Sequence, residues 1–156
     1  LCFAKALAGV DEAQAASATR RNHEFAYPVP RPGGLESASI VVTEIGRRFS
    51  LKMVDWPSAP RDTVMGWGAF DFDRVQWPLV LRNWRPGDSY RPQGSRGVRK
   101  LKRLLLESRI PRSARGSWPV LTSDGKVIWA SSYPVAEELA PHPGTQAVLV
   151  ICEEEL

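Results

Sequence analysis

Two apolar runs, Trp118-Pro119-Val120-Leu121-Thr122 and Val127-Ile128-Trp129-Ala130, flank the tetrapeptide Ser123-Asp124-Gly125-Lys126. An Asp-Gly pair accepts the positive φ angles of a two-residue turn whose twist matches paired strands, which makes this the strongest hairpin signal in the chain. Antiparallel pairing suits the rest of the sequence too. Ser39 to Ile45 and Arg48 to Val54 read as β-branched or alternating strands split by Gly46, after a rigid Pro-rich turn segment from Tyr27 to Gly34. Further strands are predicted at Trp67 to Phe72, Leu79 to Arg82 and Ala147 to Cys152, the last leading into Glu153-Glu154-Glu155. Pro57 to Met65 reads as a loop.

Helix is predicted in two places. Residues 1 to 20 are Ala-rich and free of Pro, favouring a helix that ends near Arg20-Arg21-Asn22. Val98 to Ser108 puts Leu101, Leu104 and Leu105 on one face and Arg99, Lys102 and Arg103 on the other, with Leu106 among the charges and Pro111 as terminator. The expected class is α+β, mainly antiparallel β with short helices and an N-terminal helix. With 156 residues, 43% of them hydrophobic, the chain suits one domain, 23–156, after a helical stretch at 1–22 that ends a preceding domain or forms a linker. It begins with Leu rather than Met, as a fragment would. No apolar run approaches the length needed to span a bilayer, and Asp11 and Glu12 interrupt the opening residues, so a cytoplasmic location is expected. Cys2 and Cys152 stand at opposite ends, and His23 and His142 are isolated; neither a disulfide framework nor a metal site is expected.

Charge is distributed unevenly. Arg82 to Arg115 contains eleven of the 21 Lys and Arg residues but only two acids, Asp88 and Glu107, for a net +9; the remainder sums to −5. Such a patch is an electrostatic footprint for a polyanion, most often nucleic acid. The alternative is an interaction surface for an acidic protein. Within the patch, Arg85-Pro86-Gly87-Asp88 is turn chemistry, and Arg91-Pro92-Gln93-Gly94-Ser95-Arg96-Gly97 is a second loop leading to the predicted helix, whose free first-turn N–H groups would seat a phosphate. Gly87, Gly94 and Gly97, with Asp88, are taken as loop-structuring residues, with close phosphate approach the alternative for the glycines. Arg82, Arg85 and Arg91 either pair with Asp88 or contact the ligand directly. Trp84 either packs in the core or stacks on a base, whereas Trp118 and Trp129 are expected in the core.

The signatures of nucleotide-dependent and hydrolytic catalysis are missing: there is no Walker-type loop, dinucleotide glycine fingerprint, nucleophile elbow or paired-histidine zinc motif. Asp71 and Asp73 lie two apart and are expected as exposed acids at a strand end rather than a catalytic pair.

The residues that carry the patch also carry a resemblance. Arg82-x-x-Arg85-Pro86-Gly87-Asp88-x-x-Arg91-Pro92-x-Gly94, then Gly97-x-Arg99-Lys100-Leu101-Lys102, then Arg109-Ile110-Pro111-x-x-x-Arg115-x-x-Trp118-Pro119-Val120 and Ile128-Trp129, resemble the C-terminal domain of bacterial tRNA(Ile)-lysidine synthases. The likeness is closest over 78–156. Arg103 stands where that family usually has Asp, Ser89 where Arg is common, and Arg99 and Arg109 replace lysines. The resemblance implies a sandwich-like antiparallel fold, also found in the phenylalanyl-tRNA synthetase β-subunit. It implies a role in holding and helping select tRNA(Ile) with a CAU anticodon from its acceptor-stem side. The whole family enzyme uses ATP to adenylate the wobble cytidine C34, and lysine then displaces AMP to give lysidine. Its ATP- and magnesium-using centre is an N-terminal domain with a Ser-Gly-Gly-x-Asp-Ser loop. That loop is not found in this sequence, so no cofactor and no catalytic residue is assigned here and the isolated chain is expected to be inactive. On this reading the RNA-binding residues are Arg82, Arg85, Arg91, Arg96, Arg99, Lys100, Lys102, Arg103, Arg109, Arg112 and Arg115. A homodimer is compatible with it. The competing reading is a stand-alone, non-enzymatic RNA-binding module.

Overall fold

In the computed structural model, which describes residues 24–31, 37–55 and 68–156, the described residues form ten strands and two α-helices, with short 3-10 turns at Phe72–Arg74 and Glu137–Leu139. The strands and helices are β1 (Ala26–Val29), β2 (Ser37–Val42), β3 (Arg47–Asp55), β4 (Ala69–Asp71), β5 (Leu79–Asn83), β6 (Ser89–Tyr90), β7 (Arg99–Lys100), α1 (Leu101–Glu107), α2 (Arg112–Arg115), β8 (Pro119–Ser123), β9 (Lys126–Ala130) and β10 (Ala147–Glu155). The N-terminal helix expected at 1–20 lies outside the described residues. Among those residues no helix is long and apolar enough to cross a membrane.

The hairpin forms as its turn requires, with Asp124 and Gly125 at φ 49° and 82° joining β8 to β9. Two four-stranded antiparallel sheets result, ordered β1-β5-β8-β9 and β2-β3-β10-β4, with β6-β7 as a separate two-stranded ribbon. Alternation decides their facing surfaces. In the second sheet Ile40, Phe49, Leu51, Leu149, Ile151 and Phe70 are buried, and in the first Leu79, Leu81, Leu121 and Trp129 meet them in one apolar cluster. Phe49 and Trp129 pack edge to face at 6.4 Å, which ties the layers together. This is the mainly antiparallel, sandwich-like class expected.

Several boundaries differ from expectation. Tyr27-Pro28-Val29 is not a turn but part of β1, an edge strand, where Pro28 leaves no ladder donor missing on the inner side. β10 continues to Glu155 because Arg48 pairs opposite Glu154 at 3.2 Å and Arg47 reaches Glu153 at 3.3 Å. Asp71 is buried rather than exposed. Its carboxylate lies 3.1 Å from His142 Nε2 and accepts from the Thr145 hydroxyl, which pins the 142–145 turn to β4.

Candidate nucleic-acid interface

β5 and β8 are antiparallel neighbours, yet 35 residues separate Asn83 from its partner Pro119. Trp84 N–H donates to Trp118 O at 2.9 Å and closes the base of the excursion. The row Arg82–Val120–Ala130 faces away from the other sheet, and all three are buried because the excursion folds over them. Its apolar underside supplies Tyr90, Leu101, Leu104 and Leu105 to the same core. Each buried leucine stabilises that docking by about 1.5–3 kcal/mol. The basic segment is therefore a lobe fastened to the rigid first sheet.

Two tight turns organise the lobe. In Arg85-Pro86-Gly87-Asp88, Asp88 N–H donates to Arg85 O and Gly87 sits at φ 94°, the arrangement of a type II turn. In Pro92-Gln93-Gly94-Ser95, Ser95 N–H donates to Pro92 O with Gly94 at φ 85°. Glu137 accepts from Gly94 N–H at 3.0 Å and anchors this second turn to the body. Gly97 departs from the expected loop-structuring role: its φ lies outside the left-handed region and nothing stands within 4 Å of a Cβ placed there, so the backbone does not require glycine.

Arg82 is likewise corrected. It is 9% exposed, and its two terminal nitrogens meet both carboxylate oxygens of Asp88 at 2.8 and 2.9 Å, with a further bond to Asn83 O. Asp88 also accepts from Arg85 N–H. Arg82 is thus a buried clamp for the first turn rather than a surface contact.

The predicted helix starts later than its sequence pattern suggests. Arg99 and Lys100 form β7 opposite Ser89 and Tyr90, and α1 begins at Leu101, whose N–H donates to Asp88 O. One of the N–H groups expected to seat a phosphate, that of Leu101, is therefore taken by the first turn. At the other end Arg109 N–H donates to Leu106 O and Ile110 N–H to Leu105 O, a Schellman closure with Arg109 at φ 55° where glycine is usual. Glu107 lies between Arg99 and Arg103, accepting from the first and 3.6 Å from the second.

Among the described residues Arg85, Arg91, Arg96, Lys100, Lys102, Arg109, Arg112 and Arg115 form no ion pair. All but the half-buried Arg115 are exposed. Trp118 and Trp129 are in the core as expected, and Trp84 is half-buried against it. Between the second turn and Tyr133-Pro134 lies a cleft of about 600 Å³ that sequence reasoning missed, because its far wall comes from residues some 40 positions downstream. The Tyr133 hydroxyl bridges Leu104 O and Ser108 Oγ, and burial pushes its phenol above the ordinary value.

Fold and site together define a two-sheet antiparallel β domain that presents a cationic lobe from one inter-strand connection. The profile of the family described as "TilS substrate C-terminal domain" matches residues 74–152. The chain belongs to that family. It is 40% identical over 86 residues to a tRNA(Ile)-lysidine synthase of Solibacter usitatus, covering 55% of this chain and 20% of that protein. It is 33% identical over 131 residues to one of Symbiobacterium thermophilum, covering 81% and 25%. The chain thus spans about a fifth to a quarter of the length of these curated relatives. A crystal structure of a TILS C-terminal domain superposes with a TM-score of 0.68 at 22% identity, over 85% of this chain and 98% of that one, and shares the fold.

Proposed function

We propose that this chain is the tRNA-holding part of a cytoplasmic tRNA(Ile)-lysidine synthase, which positions and helps select tRNA(Ile) with a CAU anticodon while a separate domain joins lysine to C34. The observation that carries the reading is the set of unpaired cations on one rigid connection, on a member of this family. A-form RNA offers phosphates and 2′-hydroxyls rather than base edges in its major groove, so a preformed cationic lobe suits its backbone. In this reading ATP, magnesium and lysine serve the ATP-pyrophosphatase domain, and this chain alone ligates nothing.

The test is binding of the chain to tRNA(Ile) with the CAU anticodon and to methionine tRNA, beside a variant with Lys100, Lys102, Arg109 and Arg112 changed to Ala. Tighter binding of the isoleucine tRNA that is lost in the variant supports the reading. Equal binding of both removes the selecting role, and absence of binding removes the whole proposal.

A further inference from the structure

The cationic surface alone accounts for backbone binding, but it gives no role to the cleft beneath the second turn. One wall of that cleft is apolar, formed by Leu104, Tyr133 and Pro134, and Val98 faces it while remaining 69% exposed. Arg96 also lines the cleft, exposed and without an ion pair among the described residues. Both walls are fixed before any ligand arrives: Gln93 N–H donates to Val135 O at 2.8 Å, and the Tyr133 hydroxyl is held by Leu104 O at 2.9 Å.

We propose that this cleft is a subsite for one unpaired nucleotide, its base against the apolar wall and its phosphate at Arg96. The inference rests on the RNA-holding reading and deepens it. The volume, about 600 Å³, falls within the range of small-ligand sites. A paired base has its faces covered by neighbours in the stack, whereas an unpaired one offers a free π-face to an aromatic or aliphatic wall. Apolar wall and guanidinium lining one cleft match base and phosphate together, and a bare phosphate clamp would need no apolar wall.

Gly97 provides the test, because it lines the cleft and tolerates a side chain on backbone and steric grounds. The probes are a blunt RNA duplex and the same duplex carrying a four-nucleotide 3′ overhang, each titrated into the whole chain. Wild type is expected to bind the overhang probe about tenfold tighter, the scale of one base stacking on an aromatic side chain. Gly97→Leu should reduce the overhang probe to the blunt affinity, leave blunt binding and the melting temperature unchanged, and be matched in its loss of preference by Arg96→Gln. Equal wild-type affinity for the two probes, or a preference retained in Gly97→Leu, overturns the subsite while leaving the RNA-holding reading intact. Absence of binding to either probe overturns both.

Discussion

Arg82 and Asp88 meet fork to fork, their side chains 10% and 13% exposed, at the point where the basic lobe leaves the first sheet. The pair fixes the first turn and thereby the start of α1, since Asp88 O accepts from Leu101 N–H. Removing one partner of such a pair strands a buried charge at a cost of about 3–5 kcal/mol. Asp88→Asn should therefore lose stability of that order, measured by urea denaturation. Arg82→Met with Asp88→Leu should recover most of the loss, because neither charge is then left buried alone.

Glu107 partly neutralises the lobe from within by engaging Arg99 and Arg103. Exposed pairs contribute about 0–1 kcal/mol, so Glu107→Gln should leave the melting temperature within a few degrees of wild type. It should strengthen RNA binding several-fold at low salt, read by anisotropy, because two guanidiniums become available to phosphate. Unchanged affinity would place Arg99 and Arg103 outside the contact surface.

Arg109 occupies a left-handed position at the end of α1, at φ 55°. A non-glycine residue costs about 1–2 kcal/mol there, partly offset by the entropy that glycine loses on folding. Arg109→Gly should raise stability by about 0.5–1 kcal/mol and weaken RNA binding. A gain in stability with no loss of affinity would show that the strained arginine serves no contact.

What the sequence disclosed follows from interaction range. The Asp124-Gly125 turn, the alternation of β3 and the leucine face of α1 are local patterns, and each appears where it was expected; β2 ends at Val42 rather than Ile45, because Thr43 to Gly46 form the hairpin turn. The placement of Arg99 and Lys100 did not, because their helical spacing was overridden by pairing with Ser89 and Tyr90 across the ribbon. Arg82 carried no local mark of burial either; only the docking of the lobe onto β5 encloses it. The charge count located the candidate interface, yet it could not separate clamps from contacts. The burial of Asp71 and the far wall of the cleft depended on residues tens of positions away, beyond any window of periodicity.

Tyr90 makes stability sensitive to alkali. Burial raises its phenol well above the ordinary value near 10, and its hydroxyl donates to Pro134 O at 2.7 Å. The raised folded-state value means that this contribution is intact below about pH 10 and is lost as pH climbs through the interval above it, at about 1.4 kcal/mol per pH unit. Urea denaturation from pH 8 to 11 should show that decline. Tyr90→Phe should be less stable at pH 8 by about 1 kcal/mol, the lost hydrogen bond, and should decline less steeply.

Salt dependence separates true contacts from bystanders. Engagement of six cations predicts affinity falling on the order of 10³-fold between about 50 and 200 mM salt, on a rule calibrated with DNA. Lys100 and Lys102 are exposed and free of ion pairs among the described residues, on β7 and the first turn of α1. If both meet phosphates, replacing them with Ala should lower the slope of log affinity against log salt by about 2 and weaken all RNA sequences alike. A slope unchanged from wild type would move the contact surface towards Arg109, Arg112 and the two turns. An unchanged slope with altered sequence preference would instead assign these lysines to base recognition, which the depth of the A-form major groove disfavours.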